Sequence, residues 1–557
     1  MTHKMKSLFF AAALACSAVS LVQAETSCTT STECCSGCAQ SQNLWQPHAF
    51  SVSMSREILL EKPAWEGLND VEGWHGTFGV GFEYMRNFGE NYNCEPVKGC
   101  CKSLGSLPFW AADQSNQMTI GDNKSDKDLD AYQLGLGPVE TTGTVRMDPR
   151  VYQTGADFFL YAGAHKTERG VFFKIHGPVG VMSVDPRLSF DGDLEAATYP
   201  KGALDDGTGS TGTDAPYENI QEAFAGGKEA GYLKKMKFGK IDCKRTSSAT
   251  FGDLAMAIGY NVYADETKHL GVAVRFSAPT GNKADGEYVL EPIFGRNGHW
   301  AAGGEIIGHW RAWESDGDDR YFDIWMNGTA EHLFRSKHTR SFDLKANGKG
   351  SKYLLLGKYT NNTFQQEIVN AVNVTTLPVE SSFGVEGNFA LMFDFHWDNW
   401  NFGLGYEGWG RNCEELKIDC KCPGAINLND YAVLGRQIPL NAAGGNGGLN
   451  DYAEPAAKIG KSQDLLATTV TADIPSGIVL ATTAANRIPS ELSDAIDIDG
   501  QRAHSAYTSK VFAQVGHTWK DSDYAPYMGI MGAAEFTHKD NSAVRFWSVG
   551  LQGGLAF

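Results

Sequence analysis

The sequence predicts an all-β protein, a transmembrane antiparallel β-barrel of about twelve strands. Three observations lead to this prediction: apolar and polar residues alternate over long segments, short and long connections alternate between those segments, and the chain begins with a secretory leader. A strand with one apolar and one polar face shows this period of two. Only helices and closed barrels satisfy every backbone polar group in lipid, and no segment after the leader approaches the length of a spanning helix.

The alternation is clearest in residues 383–398. Phe393 and Phe395 belong to an apolar face, whereas Asp394 belongs to the polar face. After a short turn, residues 400–413 repeat the pattern. Both segments exceed the roughly 5–6 residues of an ordinary strand and suffice for a tilted strand that crosses a bilayer, which needs roughly 9–11 residues. The alternative is an amphipathic hairpin in a soluble β-sandwich.

The first 24 residues predict a signal peptide that is removed. Lys4 and Lys6 precede an apolar run from Leu8 to Val22, and Ala24 provides a small residue at the cleavage site. The mature chain should therefore be exported and begin near Glu25. Residues 25–73 hold four cysteines and are interpreted as a pre-barrel segment, for which a position inside the lumen is one option.

Residues 74–557 are interpreted as the barrel. The predicted strands are 77–88, 151–165, 170–183, 251–263, 269–279, 299–313, 320–334, 383–398, 400–413, 505–519, 526–538 and 542–557. The connections after the first, third, fifth, seventh and ninth strands are long, covering residues 89–150, 184–248, 280–298, 337–382 and 414–504. The other connections are short, including the eleventh, which breaks the alternation.

This asymmetry favours a membrane barrel over a sandwich. Bacterial outer-membrane barrels have an even number of strands, short periplasmic turns and long extracellular loops. Fourteen strands are an alternative, if residues 51–60 and part of a long loop join the sheet.

The charge balance argues against a nucleic-acid partner. Without the two leader lysines, the chain carries 46 basic and 66 acidic residues, a formal charge of −20. Nucleic-acid binding would require a basic surface instead.

The polar faces of the strands should point into the barrel, where they would line a lumen. The candidate lumen-lining residues are Glu83, Lys174, His176, Asp253, Arg275, Glu305, His309, Arg311, Asp323, Glu331, Glu386, Asp394, His396, Glu407, Arg411, Lys510 and Glu535. Nine are acidic and five are lysine or arginine, so a water-filled lumen would mildly favour cations. The alternative is a salt-bridged plug that fills a narrow interior, because twelve strands lie between the filled small barrels and the open porins.

No metal, cofactor or catalytic site is expected. The histidines of the polar faces lie on different strands and share no metal-ligand spacing; they are His176, His299, His309 and His396. His332 falls on the lipid face near the outer rim, where a hydrolase would need a serine partner, and no serine is marked out by position. Without a hydrolase motif, the chain is not expected to be an enzyme.

Eleven cysteines remain in the mature chain. Seven should be extracellular and form disulfides that tie the loops together, or, as an alternative, hold zinc; they are Cys94, Cys100, Cys101, Cys243, Cys413, Cys420 and Cys422. Because the number is odd, at least one thiol is free or pairs between molecules.

The last strand resembles the terminal targeting strand of Gram-negative outer-membrane proteins, with alternate apolar residues and a final aromatic, Phe557. From Phe78 onward the chain resembles a group of uncharacterised, porin-like barrel proteins from host-associated Gram-negative bacteria. The resemblance is seen in segments such as 173–179, 277–281 and 408–413. The cysteine-bearing loops are similar in style to cysteine-rich major outer-membrane proteins of intracellular bacteria. These resemblances imply an outer-membrane location and no known activity.

The expected function is a porin-like channel for passive diffusion of small hydrophilic solutes, with a mild preference for cations. Its expected partners are outer-membrane lipid and those solutes. The alternative is a structural or adhesive surface protein anchored by a closed barrel, since the loops are longer than a plain pore requires. In that case the loops would mediate self-association or contact with a host surface.

Overall fold

The computed structural model describes residues 44, 48–66, 73–88, 117–121, 128–139, 141–166, 168–206, 212–265, 267–317, 320–419, 427–438, 452–460, 464–466, 479–481, 483–520, 524–537 and 544–557. Residues 1–43, which include the predicted leader, and residues 45–47 and 67–72 lie outside this part of the chain. In the described part, no helix combines the length and apolarity needed to cross a membrane.

Twelve long strands close into an antiparallel barrel. They are β1 (Gly73–Asn87), β2 (Arg150–Lys166), β3 (Arg169–Asp185), β4 (Asp253–Asp265), β5 (Lys268–Pro279), β6 (Ala301–Glu314), β7 (Arg320–Ser341), β8 (Thr376–Trp397), β9 (Trp400–Arg411), β10 (Ala506–Thr518), β11 (Ala525–Thr537) and β12 (Phe546–Ala556). Each pairs with its sequence neighbours, and β1 pairs with β12. The predicted twelve-stranded all-β barrel is confirmed.

The fourteen-strand alternative is wrong. Residues 51–60 are helical rather than extended: a 3-10 turn, Phe50–Val52, leads into α1 (Met54–Glu61). A further 3-10 turn, Lys62–Ala64, follows and contains Pro63, which cannot continue an α-helix.

The long β7–β8 hairpin extends farther than its sequence indicates. Residues 337–341 and 376–382, which the sequence assigned to a loop, belong to this pairing, which runs from Ser336↔Ser381 to Ser341↔Thr376. Another strand, Glu414–Ile418, pairs with Val379–Phe383 and lies in a second predicted loop. The sequence does not reveal these extensions, because His338 and Arg340 are buried but polar. The segment therefore lacks the alternation of apolar and polar residues that predicts a strand.

The long connections, together with the connection between β11 and β12, lie at one end of the barrel, called the loop end. The other short turns lie at the opposite end, called the turn end. The described parts of the long connections form a folded outer cap that contains small sheets and helices. Its strands are Gln117–Gly121, Leu129–Asp130, Gly143–Met147, Leu188–Gly192, Leu355–Thr360, Thr363–Asn370, Tyr431–Val433, Arg436–Ile438, Tyr452–Ala453, Asp464–Leu466 and Val479–Leu480, and its α-helices are Ile220–Ala225, Val372–Thr375 and Leu492–Ala495. Two further short strands, Arg245–Thr246 and Thr250–Phe251, pair with β3 of the barrel. Buried side chains of the cap, such as Ile120, Phe224 and Leu354, form an apolar core that continues into the loop ends of barrel strands, for example at Val151.

An apolar belt surrounds the barrel. Large apolar side chains point outward from every part of the sheet; for example, Ile258 is 66% exposed and Leu404 is 57% exposed. Exposed tryptophans mark the turn end, among them Trp74 and Trp397. A continuous apolar exterior of this size is unfavourable in water, whereas an apolar band with aromatic girdles is typical of a barrel in lipid.

We expect an arginine in the middle of this belt to destabilise the barrel. Replacing Ile258 with arginine (Ile258→Arg) should lower the free energy of unfolding in lipid vesicles by about 2–4 kcal/mol, because a charge then faces hydrocarbon. Urea titration of the protein in vesicles measures the change. Leu480→Arg, at an exposed site in the outer cap, is the matched control and should have little effect. Equal effects of the two substitutions would contradict a lipid-facing belt.

Candidate functional site: the plugged lumen

A segment from the N-terminal part of the chain fills the barrel. Residues 48–66, here called the plug, comprise α1 and its flanking turns, and all of them are buried. The apolar side chains of α1, such as Ile58 and Leu60, belong to one buried cluster with inward-facing apolar side chains of the wall, such as Phe172 and Met392. The interior is therefore filled by protein at this level.

The plug crosses the lumen from the loop end to the turn end. Leu44 packs with Ala284 and Ile293, which belong to the connection between β5 and β6. His48 stacks on Trp409 near the outer end of β9, with ring centroids 4.9 Å apart. At the other end, the Oγ1 of Thr518 donates to Glu66 at 3.3 Å.

The barrel wall caps the N-terminus of α1. Ser53 makes no side-chain cap, and the carboxylate of Glu407 instead accepts from the backbone N–H groups of Met54 and Ser55, at 2.8 and 3.2 Å. A carboxylate at this position satisfies unpaired N–H groups and faces the positive end of the helix dipole. Lys510 Nζ lies 2.7 Å from the same carboxylate and compensates its charge.

The basic residues of the plug pair with acidic residues of the wall. Arg56 lies between Glu83 and Asp157, with nitrogen–oxygen distances of 2.6 and 3.0 Å. Lys62 Nζ lies 2.7 Å from Asp394 and 3.2 Å from Glu66 of the plug itself. Near the loop end, His48 Nδ1 lies 2.9 Å from Glu535.

The acidic residues of the plug pair with basic residues of the wall. Glu57 receives both terminal nitrogens of Arg275, at 2.7 and 2.9 Å, in a bidentate arrangement. Glu61 accepts from Lys174 at 2.8 Å and from Asn327 at 3.1 Å. Because these groups are buried, each charge depends on its partner across the plug–wall interface.

The connection between β5 and β6 folds over the loop end of the lumen. Its Arg296 reaches Glu331 at 2.7 Å and Glu386 at 3.0 Å, and its Phe294 packs on Phe50 of the plug. Glu291 braces this connection by accepting from the backbone N–H groups of residues 285 and 288. Burial, reinforced by the neighbouring Asp285, raises the pKa of the Glu291 carboxyl to about 8.

Histidines and tryptophans close the turn end. Trp65 of the plug stacks on His269, with ring centroids 3.8 Å apart, and also contacts His75 and His165. His309 hydrogen-bonds His269 through the two Nδ1 atoms and stacks on Trp325. These rings fill part of the turn end of the lumen.

The structure places all seventeen candidate lumen residues inside the barrel, sixteen of them buried and Arg311 half-buried. Sequence reasoning missed important partners: Arg56, Glu57, Glu61 and Lys62 on the plug, and Arg296 in a connection. It also missed Asp157, which lies in a strand whose inward face is partly aromatic. No periodic signal in residues 48–66 identifies which wall residue each of these groups meets.

Among the residues that the structure describes, one cluster has donor atoms close enough for a metal ion: Glu66, Asp394 and His396. The ammonium group of Lys62 lies within 3.2 Å of both carboxylates, so a cation of the chain already compensates them. The remaining histidines of the sequence hypothesis have other contacts. His176 contacts Asp157, and His299 contacts the carbonyl of Phe334.

His332 lies exposed on the outer face, where its Nδ1 lies 2.8 Å from the carbonyl oxygen of Gly384 and its ring contacts Phe334. These contacts involve no hydroxyl nucleophile. Of the candidate disulfide residues, Cys243 is exposed and Cys413 is half-buried in the outer cap region. The other five, Cys94, Cys100, Cys101, Cys420 and Cys422, lie outside the described residues, and the disulfides stay a prediction.

No known family model matches the chain, and no curated protein matches it. Among solved structures, an outer-membrane channel from Pseudomonas putida F1 is similar over 88% of this chain and 98% of its own, with 9% identity and a TM-score of 0.35. The Pseudomonas putida toluene transporter TodX (8%, TM-score 0.29) covers 94% and 99% of the two chains. The β domain of the Bordetella autotransporter BrkA (8%, TM-score 0.28) covers 87% and 99%. Such low scores assign no function.

We expect Glu407→Gln to loosen the plug. The amide leaves Lys510 without a charged partner and weakens the cap of α1, and loss of one partner of a buried ion pair costs about 3–5 kcal/mol. Chemical denaturation in detergent measures this loss. Glu380→Gln is the control, because its partner Lys337 is exposed and such a pair contributes little. A loss no larger than that of the control would show that Glu407 does not hold the plug.

We also expect Glu291 to make stability depend on pH. The folded chain binds a proton at Glu291 that the unfolded chain, with an ordinary pKa of 4.5, releases earlier. The contribution is therefore complete below pH 4.5 and disappears as the pH rises through about 8. Thermal unfolding from pH 4 to 9 should show a steeper loss in the wild type than in Glu291→Gln. Parallel curves would contradict a protonated Glu291.

Proposed function

We propose that the protein is an outer-membrane channel that is closed at rest by its own plug and conducts small hydrophilic solutes when the plug moves aside. The observation that carries the proposal is the charged interface between the plug and the wall. Arg56, Glu57, Glu61 and Lys62 each pair with a wall residue. The wall is thus lined with groups that water could solvate in the absence of the plug.

The energetics of buried charge support a movable plug. Replacing a buried ion pair with packed apolar residues is often neutral or stabilising, so ion pairs are a poor means of filling a lumen permanently. A wall lined by charged groups suits an interior that is hydrated part of the time. Sixteen of the candidate wall residues are buried in the plugged state. Displacement of the plug would return them to water.

The proposed solutes are small and hydrophilic, and the proposed ion preference is a mild one for cations. The wall candidates include nine acidic residues and five lysines or arginines. A negative lumen raises the local concentration of cations and disfavours anions. The reversal potential under a salt gradient measures this preference.

A second candidate function is a structural or adhesive surface protein with a permanently closed barrel. The observation that favours it is the outer cap, whose apolar core contains residues from several connections, including Ile120, Phe224 and Leu354. A passive diffusion pore does not require a folded cap with buried apolar side chains. Under the second function, the plug would fill the lumen permanently, and the cap would bind another copy of the protein or a host surface.

A reversible cross-link between plug and wall distinguishes the two functions. A Cβ atom at Gly81 would lie 3.3 Å from Cδ1 of Leu60, so these two positions on α1 and β1 face each other, and Leu60→Cys with Gly81→Cys is the pair to oxidise. We expect the oxidised variant to be silent in planar bilayers and to conduct after reduction.

Each single cysteine variant is the control and should conduct whether or not a reductant is present. Equal currents before and after reduction would contradict a moving plug. The absence of current from the reduced variant and from the wild type would favour the closed anchor.

A further inference from the structure

The contacts of Glu57 describe a binding site in the wall. Arg275 on β5 offers its two terminal nitrogens to the two carboxylate oxygens of Glu57, at 2.7 and 2.9 Å. Lys174 Nζ on β3 lies 3.6 Å from the same carboxylate, and His176 Nε2 lies 3.2 Å from it. Three wall residues on two strands thus converge on one carboxylate of the plug.

From this geometry we propose that Arg275, Lys174 and His176 form a carboxylate-binding socket, which Glu57 occupies in the closed state and which a solute carboxylate can take over. The proposal rests on the proposed channel function for its biological role, because a solute that replaces Glu57 would release the plug. The binding itself is independent of conduction.

The planar fork of arginine selects for a carboxylate. Two parallel N–H···O bonds match the spacing of two carboxylate oxygens, which gives both strength and geometric specificity. Glu305 lies 3.1 Å from Nη1 of Arg275, and Glu331 lies 3.9 Å from its Nε. These wall contacts fix the guanidinium without the plug, so the socket is pre-organised.

Exchange of ligands would leave the buried charge unchanged. Glu305 already contacts both Lys174 and Arg275, Asp157 contacts His176, and Glu331 lies 3.9 Å from Arg275. Simple removal of Glu57 would disturb this balance at high cost. Replacement of the Glu57 carboxylate by a solute carboxylate conserves the balance of buried charge. A carboxylate should therefore displace the plug more readily than a neutral solute or an inorganic cation.

The surroundings favour an organic carboxylate over a bare anion. The ring of Phe159 lies beside the socket, with its centroid 5.8 Å from Lys174 Nζ. Ile58 of α1 belongs to the same apolar cluster as Phe159. A short alkyl chain attached to the carboxylate would replace part of the apolar contact that the plug loses.

Cysteine labelling of the plug tests the socket without requiring conduction. Ser55 is fully buried, so a maleimide should label Ser55→Cys slowly, and the rate is measured relative to the parent protein with its native cysteines. Butyrate at ten times its dissociation constant should accelerate labelling about tenfold, because it binds the released state selectively. Butyramide, which has the same shape without the charge, should have no effect at equal ionic strength.

Two variants in the Ser55→Cys background assign the effect to the socket. Arg275→Lys retains the charge but lacks the fork, so its response to butyrate should fall severalfold. Glu57→Gln removes the internal competitor, so labelling should already be fast without butyrate. Glu57→Gln also serves as the test if Arg275→Lys does not fold.

Equal acceleration by butyrate and butyramide, or by butyrate and inorganic phosphate, would overturn the carboxylate socket. An undiminished response in Arg275→Lys, or slow labelling in Glu57→Gln, would overturn it as well. A butyrate response in a protein that never conducts would retain the socket and reject the channel. Current without a butyrate response would do the reverse.

Discussion

The structure depends on the charge matching between the plug and the barrel wall. A barrel in lipid must present an apolar exterior, and the period of two then leaves the alternate side chains to the interior. Here that interior is ionic and narrow enough for a single short helix to fill it. Each buried charge needs a partner, so the position of the plug is fixed by Glu83, Asp157, Arg275 and Asp394 on four different strands.

The same matching explains why a short helix is stable inside the lumen. Eight residues form a marginal helix in water, and α1 lacks a side-chain cap of its own. Glu407 provides that cap from the wall, and apolar contacts of residues such as Leu60 add to it. The helix therefore depends on the barrel, while the charges of the wall depend on the helix.

The two ends of the lumen are closed differently. At the loop end, Arg296 and Phe294 belong to a connection that folds inward, so closure there involves the outer cap. At the turn end, Trp65 of the plug stacks on His269 and makes an edge contact with His75, so the plug itself fills the lumen there. Movement of the plug would thus open the turn end directly, whereas the loop end also needs the β5–β6 connection to shift.

The sequence by itself determined the barrel, because lipid imposes a two-faced strand whose period is visible in one dimension. Segments such as 400–411 alternate so regularly that strand number, closure and the inward set from Glu83 to Glu535 follow from the pattern. Only the tertiary structure decided what fills the lumen. Residues 48–66 show no periodic pattern that predicts their position in the lumen. The partners of Glu57 lie 117 to 218 positions away in the sequence. Pairing at that range depends on how the strands close in space, which local sequence does not encode.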